Sequence, residues 1–259
     1  MNKRKQIHSL NDELLPKQID IINLLLKFRH LNTHQIRNLL NHKAKERIRI
    51  WLNDLTNKGF IYRHYIDGFE KKPADYCLDT SSIALLKAKE DIDKSFLKRL
   101  YYEKEHSKEY REHCQFIATA YLSLLKFSKE TNIILRFDTK SDIFGTKYLI
   151  LPYPDAYFYI KEQSGEISRY FLEVFDNRAF IYKRVYQYFT YYNKNYWQHV
   201  TKTPFPEIIY VCPDEYTKNR VYRFIQGKLT NDSPKFYLTT REEIQKHGLN
   251  HEVLDKVVA

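Results

Sequence analysis

Phe60 to Leu78, FIYRHYIDGFEKKPADYCL, is the stretch whose reading decides the fold of the first part of this chain. Phe60-Ile61-Tyr62-Arg63-His64-Tyr65 is dense in aromatic and β-branched residues and predicts a strand. Asp67-Gly68 and the charged Glu70-Lys71-Lys72-Pro73 predict a loop, and Asp75-Tyr76-Cys77-Leu78 supplies the returning strand. Just upstream, Gly59 follows Lys58 where a left-handed helix stop belongs. The helix it ends starts around Ala44 and turns Ile48, Leu52 and Leu55 to a core. Further out, Asn32 or Thr33 can cap a short helix carrying Ile36, Leu39 and Leu40. Pro16 opens a first helix, with Ile19, Ile22, Leu25 and Leu26 at helical spacing, that ends near His30.

Three helices followed by a hairpin with a basic tip is the order of a winged helix-turn-helix domain, here spanning residues 10–85. In such domains the N-terminal end of the third helix enters the major groove of duplex DNA, and neighbouring basic residues hold phosphates. The residues placed for contact are Lys43, Lys45, Arg47 and Arg49 on that helix, with Arg63, His64, Lys71 and Lys72 on the hairpin. Binding double-stranded DNA in this way requires no cofactor.

Composition agrees. The 259 residues carry 43 Lys+Arg against 32 Asp+Glu, a net charge of +11, which favours polyanionic partners. Hydrophobic residues at 43% are enough to build cores, which excludes disorder for the chain as a whole. The apolar run Ile19 to Leu26 is interrupted by Asp20 and Asn23, far from the ~20 apolar residues of a membrane span. Met1 to Lys5 is basic, but no signal-peptide core follows it. Cys77, Cys114 and Cys212 are widely spaced, so disulfide frameworks and zinc clusters are disfavoured, three buried thiols are expected, and a reducing cytoplasm fits.

Residues 82–130 read mostly as helix, with 86–110 as a connector and a stripe of Phe116, Ala120, Leu124 and Phe127 in the part that packs on a sheet. Beyond it the period changes. Strands are expected at Ile133–Phe137, Ala156–Ile160 and Tyr170–Phe175, then a tyrosine-dense helix from Ala179 to Trp197. A buried strand at Glu207–Val211, a helix at 215–228 and a strand at 235–238 follow. The expected second domain, residues 111–259, is thus an α/β sandwich round a short mixed sheet.

Two acids in it carry chemistry. Asp155 opens one strand and Glu173 lies near the end of the next, so the hairpin brings both carboxylates to one sheet end. Paired carboxylates repel unless a cation lies between them, as in a Mg²⁺ site for phosphodiester hydrolysis. The helix–β–β–β–helix–β order with Pro154-Asp155 and then Glu173 resembles the PD-(D/E)xK nuclease superfold. That resemblance makes Asp155 and Glu173 the metal-binding and catalytic acids. It also calls for a lysine two places after the glutamate, where Phe175 stands here. Lys183 on the following helix is the compensating candidate, Gln187 and Tyr191 echo a helix motif of some branches, and Glu109 or Glu112 is a candidate third ligand.

Over most of its length the chain resembles the replication-relaxation family of plasmid and mobile-element proteins. The matching residues are Gln35-Ile36-Arg37, Leu52 to Arg63, His113, Pro154-Asp155-Ala156, Phe171-Leu172-Glu173-Val174 and the helix from Lys183 to Tyr186. Family members commonly show an aspartate two places after the glutamate; here the acid, Asp176, falls one place later. The resemblance implies an accessory DNA-binding protein of plasmid replication or conjugative mobilisation, acting beside a relaxase or replication initiator, and does not by itself imply nuclease activity. The alternatives are a Mg²⁺-dependent endonuclease using Asp155, Glu173 and Lys183, and a transcriptional regulator. In the latter, the aromatic helix from Tyr182 to Trp197 would serve ligand sensing or homodimerisation.

Overall fold

The computed structural model describes residues 14–64, 73–87 and 92–258. The chain divides into two compact units, Met1–Ala118 and Thr119–Ala259.

The first unit runs α1 (Pro16–Phe28), β1 (Leu31–Asn32), α2 (Thr33–Leu39), α3 (Lys45–Asn57), β2 (Ile61–His64) and β3 (Asp75–Leu78). Proline stands in the first turn of α1, where its missing N–H costs nothing. The helix buries Ile21, Ile22, Leu25 and Phe28; Ile19 and Leu26, expected on the buried stripe, are only half-buried. Asn32 is the cap of α2: its side chain accepts from the Gln35 N–H at 3.0 Å, and the Gln35 side chain accepts from the Asn32 N–H at 3.1 Å. This reciprocal pair satisfies two otherwise unpaired donors. α3 buries Ile48, Trp51, Leu52 and Leu55. It stops at Gly59, whose φ of 70° lies in the region that glycine alone enters freely.

β3 is the central strand of a three-stranded antiparallel sheet, order β1-β3-β2, with Leu31 opposite Tyr76 and Tyr62 opposite Cys77. β1 was not anticipated, because two residues show no alternation. The helical stretch after β3 breaks into α4 (Thr80–Leu86), α5 (Lys94–Leu100), a 3-10 turn at Glu103–Glu105 and α6 (Lys108–Thr131). Asp93 caps α5 by accepting from the N–H groups of Ser95 and Phe96 at 2.7 and 3.1 Å. Glu103, expected in a connector, is 1% exposed and paired with Arg29.

The second unit follows with β4 (Ile134–Thr139), β5 (Ala156–Lys161), β6 (Ile167–Val174), α7 (Ile181–Asn193), α8 (Tyr196–Thr201), β7 (Glu207–Cys212), α9 (Glu215–Gln226), β8 (Phe236–Thr240), α10 (Arg241–His247) and β9 (Asp255–Lys256). The strands form a six-stranded mixed sheet in sequence order, so the fold is mixed α/β. β4, β5 and β6 are antiparallel neighbours, β6-β7 and β7-β8 are parallel, and β9 returns antiparallel. Parallel neighbours need a crossover, which α7 with α8 and then α9 provide. α8, α10 and β9 were not anticipated. Ile208 to Cys212 are all buried, as expected of a strand covered on both faces.

One face of the sheet meets α6 through Tyr121 on Phe137, ring centroids 5.0 Å apart. The other packs Phe171, Ile208, Tyr210 and Phe236 with Val185 and Tyr188 of α7 and Val221 and Ile225 of α9. Among the described residues, no helix is long and apolar enough to cross a membrane.

Candidate functional site

The basic surface of α3 follows from its amphipathic pattern. Ile48, Trp51, Leu52 and Leu55 turn inward, Ile50 is left exposed, and Lys43, Lys45, Arg47 and Arg49 are all exposed. Arg49 is bound by Glu46, whose carboxylate accepts from its Nε at 2.9 Å and its second guanidinium nitrogen at 2.6 Å. Such an exposed pair contributes little to stability and exchanges readily. Lys43, Lys45 and Arg47 have no ion-pair partner among the described residues. The first turn of α3 has Ala44 as its cap residue and, among the described residues, receives no side-chain cap hydrogen bond. Open N–H groups and the positive end of the helix dipole therefore lie beside three cations.

On the hairpin, Arg63 is half-buried, and Lys71 and Lys72 lie outside the described residues. His64 corrects the expectation. It is 7% exposed and turns inward, its Nε2 3.6 Å from the Cys77 Sγ. Strand alternation is the reason: Tyr62 is registered with Cys77, and His64, two residues on, shares that inner face. It is not a surface contact for DNA.

In the second unit, strand pairing brings Asp155 and Glu173 together. The Asp155 N–H donates to the Leu172 carbonyl at 2.9 Å, and the Val174 N–H donates to the Asp155 carboxylate at 2.7 Å. The acids are 2% and 6% exposed. Each has its own cation. The Lys140 ammonium lies 2.5 Å from Asp155, and the Arg184 guanidinium donates to Glu173 Oε1 at 2.9 and 2.5 Å. The Tyr188 hydroxyl donates to the same oxygen at 2.6 Å.

Burial pushes the Glu173 pKa up against the pull of Arg184, Asp155 pushes it further, and the net direction is upward. Desolvation opposes the Lys140 charge, but Asp155 and Glu173 outweigh it and its pKa is raised. Burial also lifts the Tyr188 hydroxyl well above the usual range, so it is a neutral donor.

The geometry corrects one expectation. Lys183 is exposed, and the base that meets Glu173 is its neighbour Arg184: one step along a helix is a 100° rotation. Gln187 accepts from Arg184 at 3.2 Å, and Tyr191 donates to the Tyr148 carbonyl at 2.7 Å. Asp176 is paired with Arg241, and Phe175 packs on Tyr210 with centroids 5.1 Å apart. Glu109 and Glu112 are exposed on α6, and Glu112 lies 4.0 Å from Lys108.

A Mg²⁺ ion does not fit this arrangement. It demands carboxylate oxygens and several waters in octahedral array. Here two negative charges already face two positive ones, and the guanidinium and phenol crowd the Glu173 oxygen. Arg184 and Lys140 perform the charge compensation that a metal would.

No family model and no curated protein matches this chain. Among solved structures, it is similar to MepR, a transcription regulator of the Staphylococcus aureus multidrug efflux pump MepA. The TM-score is 0.27 and the identity 22%, over 48% of this chain and 89% of MepR. A likeness of that degree decides neither the fold nor the function.

Proposed function

We propose that this chain is a duplex-DNA-binding protein whose first unit is a winged helix-turn-helix domain and whose second unit is a PD-(D/E)xK-like scaffold that does not cleave. One observation carries the reading: Lys43, Lys45 and Arg47 cluster, exposed, at the uncapped N-terminal end of α3, whose opposite face is core. Cations beside open helix N–H groups form a phosphate-binding surface, and the helix end is the part that enters a groove. The internally neutralised pair of Asp155 and Glu173 supports a scaffolding role for the second unit.

The resemblance to replication-relaxation proteins extends this to an accessory role at the origin of a mobile element, beside a relaxase or initiator. The test is binding of the full chain to an origin fragment from its own replicon and to random duplex of equal length. Preference for the origin, lost steeply as salt rises, is expected. Equal affinity for both fragments at moderate salt overturns the origin role, and no binding to either overturns the DNA reading.

A transcriptional regulator is the second reading, favoured by the same α3 surface. It requires footprinting of a promoter together with a change in transcription from it. Plasmid left intact by the wild-type chain with Mg²⁺ or Mn²⁺ is the outcome that the paired acids lead us to expect.

A further inference from the structure

The interior of the first unit holds a cluster that DNA binding does not use. His30 lies just past the end of α1, His64 at the end of β2 and Cys77 in the middle of β3. All three are buried, and one donor atom from each lies within 4.8 Å of the other two. His30 is 0% exposed, and among the described residues neither of its ring nitrogens makes a hydrogen bond, although Nε2 lies 3.5 Å from the Glu103 carboxylate. A neutral imidazole always presents one N–H and one lone pair, so leaving both unmet in a dry interior is costly. An ordinary core histidine satisfies at least one of them.

We propose that His30, His64 and Cys77 bind a Zn²⁺-class transition-metal ion. Two imidazoles and a thiolate form a borderline-soft nitrogen and sulfur set that suits Zn²⁺ and excludes Mg²⁺ and Ca²⁺. Tetrahedral Zn²⁺ holds nitrogen at ~2.0 Å and sulfur at ~2.3 Å, so its ligand atoms lie about 3.3–3.5 Å apart; Cys77 Sγ and His64 Nε2 are already 3.6 Å apart, and donors as far as 4.8 Å apart must close by up to ~1.5 Å. A neutral imidazole offers one ring lone pair to a metal. Binding releases the Cys77 thiol proton to solvent as the Zn–S bond forms.

Glu103 is the carboxylate that orients the site. It is 1% exposed, with Oε2 3.5 Å from His30 Nε2, and it is held by the Arg29 guanidinium, whose Nε donates at 2.9 Å. Such an outer carboxylate commonly fixes the ring of a ligating histidine. An ion here ties the end of α1 to both β2 and β3.

The test uses the full chain, reduced and freed of metal, titrated with Co²⁺ as a spectroscopic stand-in for Zn²⁺. The expected result is saturation at one equivalent, with a thiolate-to-cobalt charge-transfer band in the near ultraviolet that Zn²⁺ displaces. Cys77→Ser removes the band, whereas Cys114→Ser and Cys212→Ser keep it. His64→Gln, with its fold checked by circular dichroism, weakens Co²⁺ binding about tenfold or more. A wild-type chain with no band at one equivalent overturns the site, as does a band that survives Cys77→Ser. If Cys77→Ser does not fold, His64→Gln decides, and unchanged Co²⁺ affinity overturns the proposal.

Discussion

Replacing Arg184 by methionine tests the claim that protein cations, rather than a metal, balance the acids of the second unit. Arg184 and Glu173 are 4% and 6% exposed, and the substitution removes two charge-assisted hydrogen bonds and the only guanidinium on Glu173 Oε1 among the described residues. Deleting one partner of a buried pair leaves an uncompensated charge and costs about 3–5 kcal/mol. Adding Glu173→Gln removes that charge but keeps an amide oxygen for the Tyr188 hydroxyl, so the double variant recovers on the order of 2 kcal/mol.

The loss is also pH-dependent. The folded Glu173 pKa is already raised by burial, and removing Arg184 raises it further. Between the unfolded value, near ~4.3, and the raised folded value, the native state binds more protons than the unfolded state. Stability contributed by that proton is therefore present at acid pH and lost as pH rises through the folded value. The Arg184→Met deficit should be smaller at pH ~5 than at pH ~8.

Urea unfolding read by tryptophan fluorescence measures this directly. The chain has two tryptophans, Trp51 in the first unit and Trp197, 3% exposed, in the second, so a Trp51→Phe background reports the second unit alone. A deficit below ~1 kcal/mol that is equal at both pH values would refute the buried-pair argument.

Three further outcomes follow. Neutralising Lys43, Lys45 and Arg47 together removes three candidate phosphate contacts, which lowers the slope of log affinity against log salt by about 2.7. From ~50 to ~200 mM salt the wild type should then lose about 40-fold more affinity than the triple variant; parallel slopes in filter binding would remove α3 from the interface. Gly248→Ala forces a residue with φ of 80° to carry a Cβ 2.9 Å from that of Ser123, so it should destabilise the second unit by about 1–3 kcal/mol in the Trp197 assay. Asn32→Ala removes the α2 cap and should cost about 1 kcal/mol in the first unit, read by Trp51 in a Trp197→Phe background.

Much of the frame was legible in the sequence because it rests on local physics. The Asn32 cap, the Gly59 stop, the inward residues Ile48, Leu52 and Leu55, and the continuous apolar strand at Glu207 are set by neighbours within a few positions. They stand in the structure where periodicity and capping placed them. The closeness of Asp155 and Glu173 was also readable, since a hairpin of that length leaves little choice of register.

Only tertiary structure decided what surrounds those residues. Lys140 and Arg184 reach the acids from β4's end and from α7, and no local pattern favours Arg184 over Lys183 until the helix phase against the sheet is known. The inward turn of His64 depends on its register with β3. The meeting of His30, His64 and Cys77 leaves no spacing signature, because its donors come from one helix end and two strands joined only by the fold. Capping and amphipathicity act over a few residues and are written in sequence order. Charge compensation and metal ligation act through space, between side chains that the chain brings together only once it has packed.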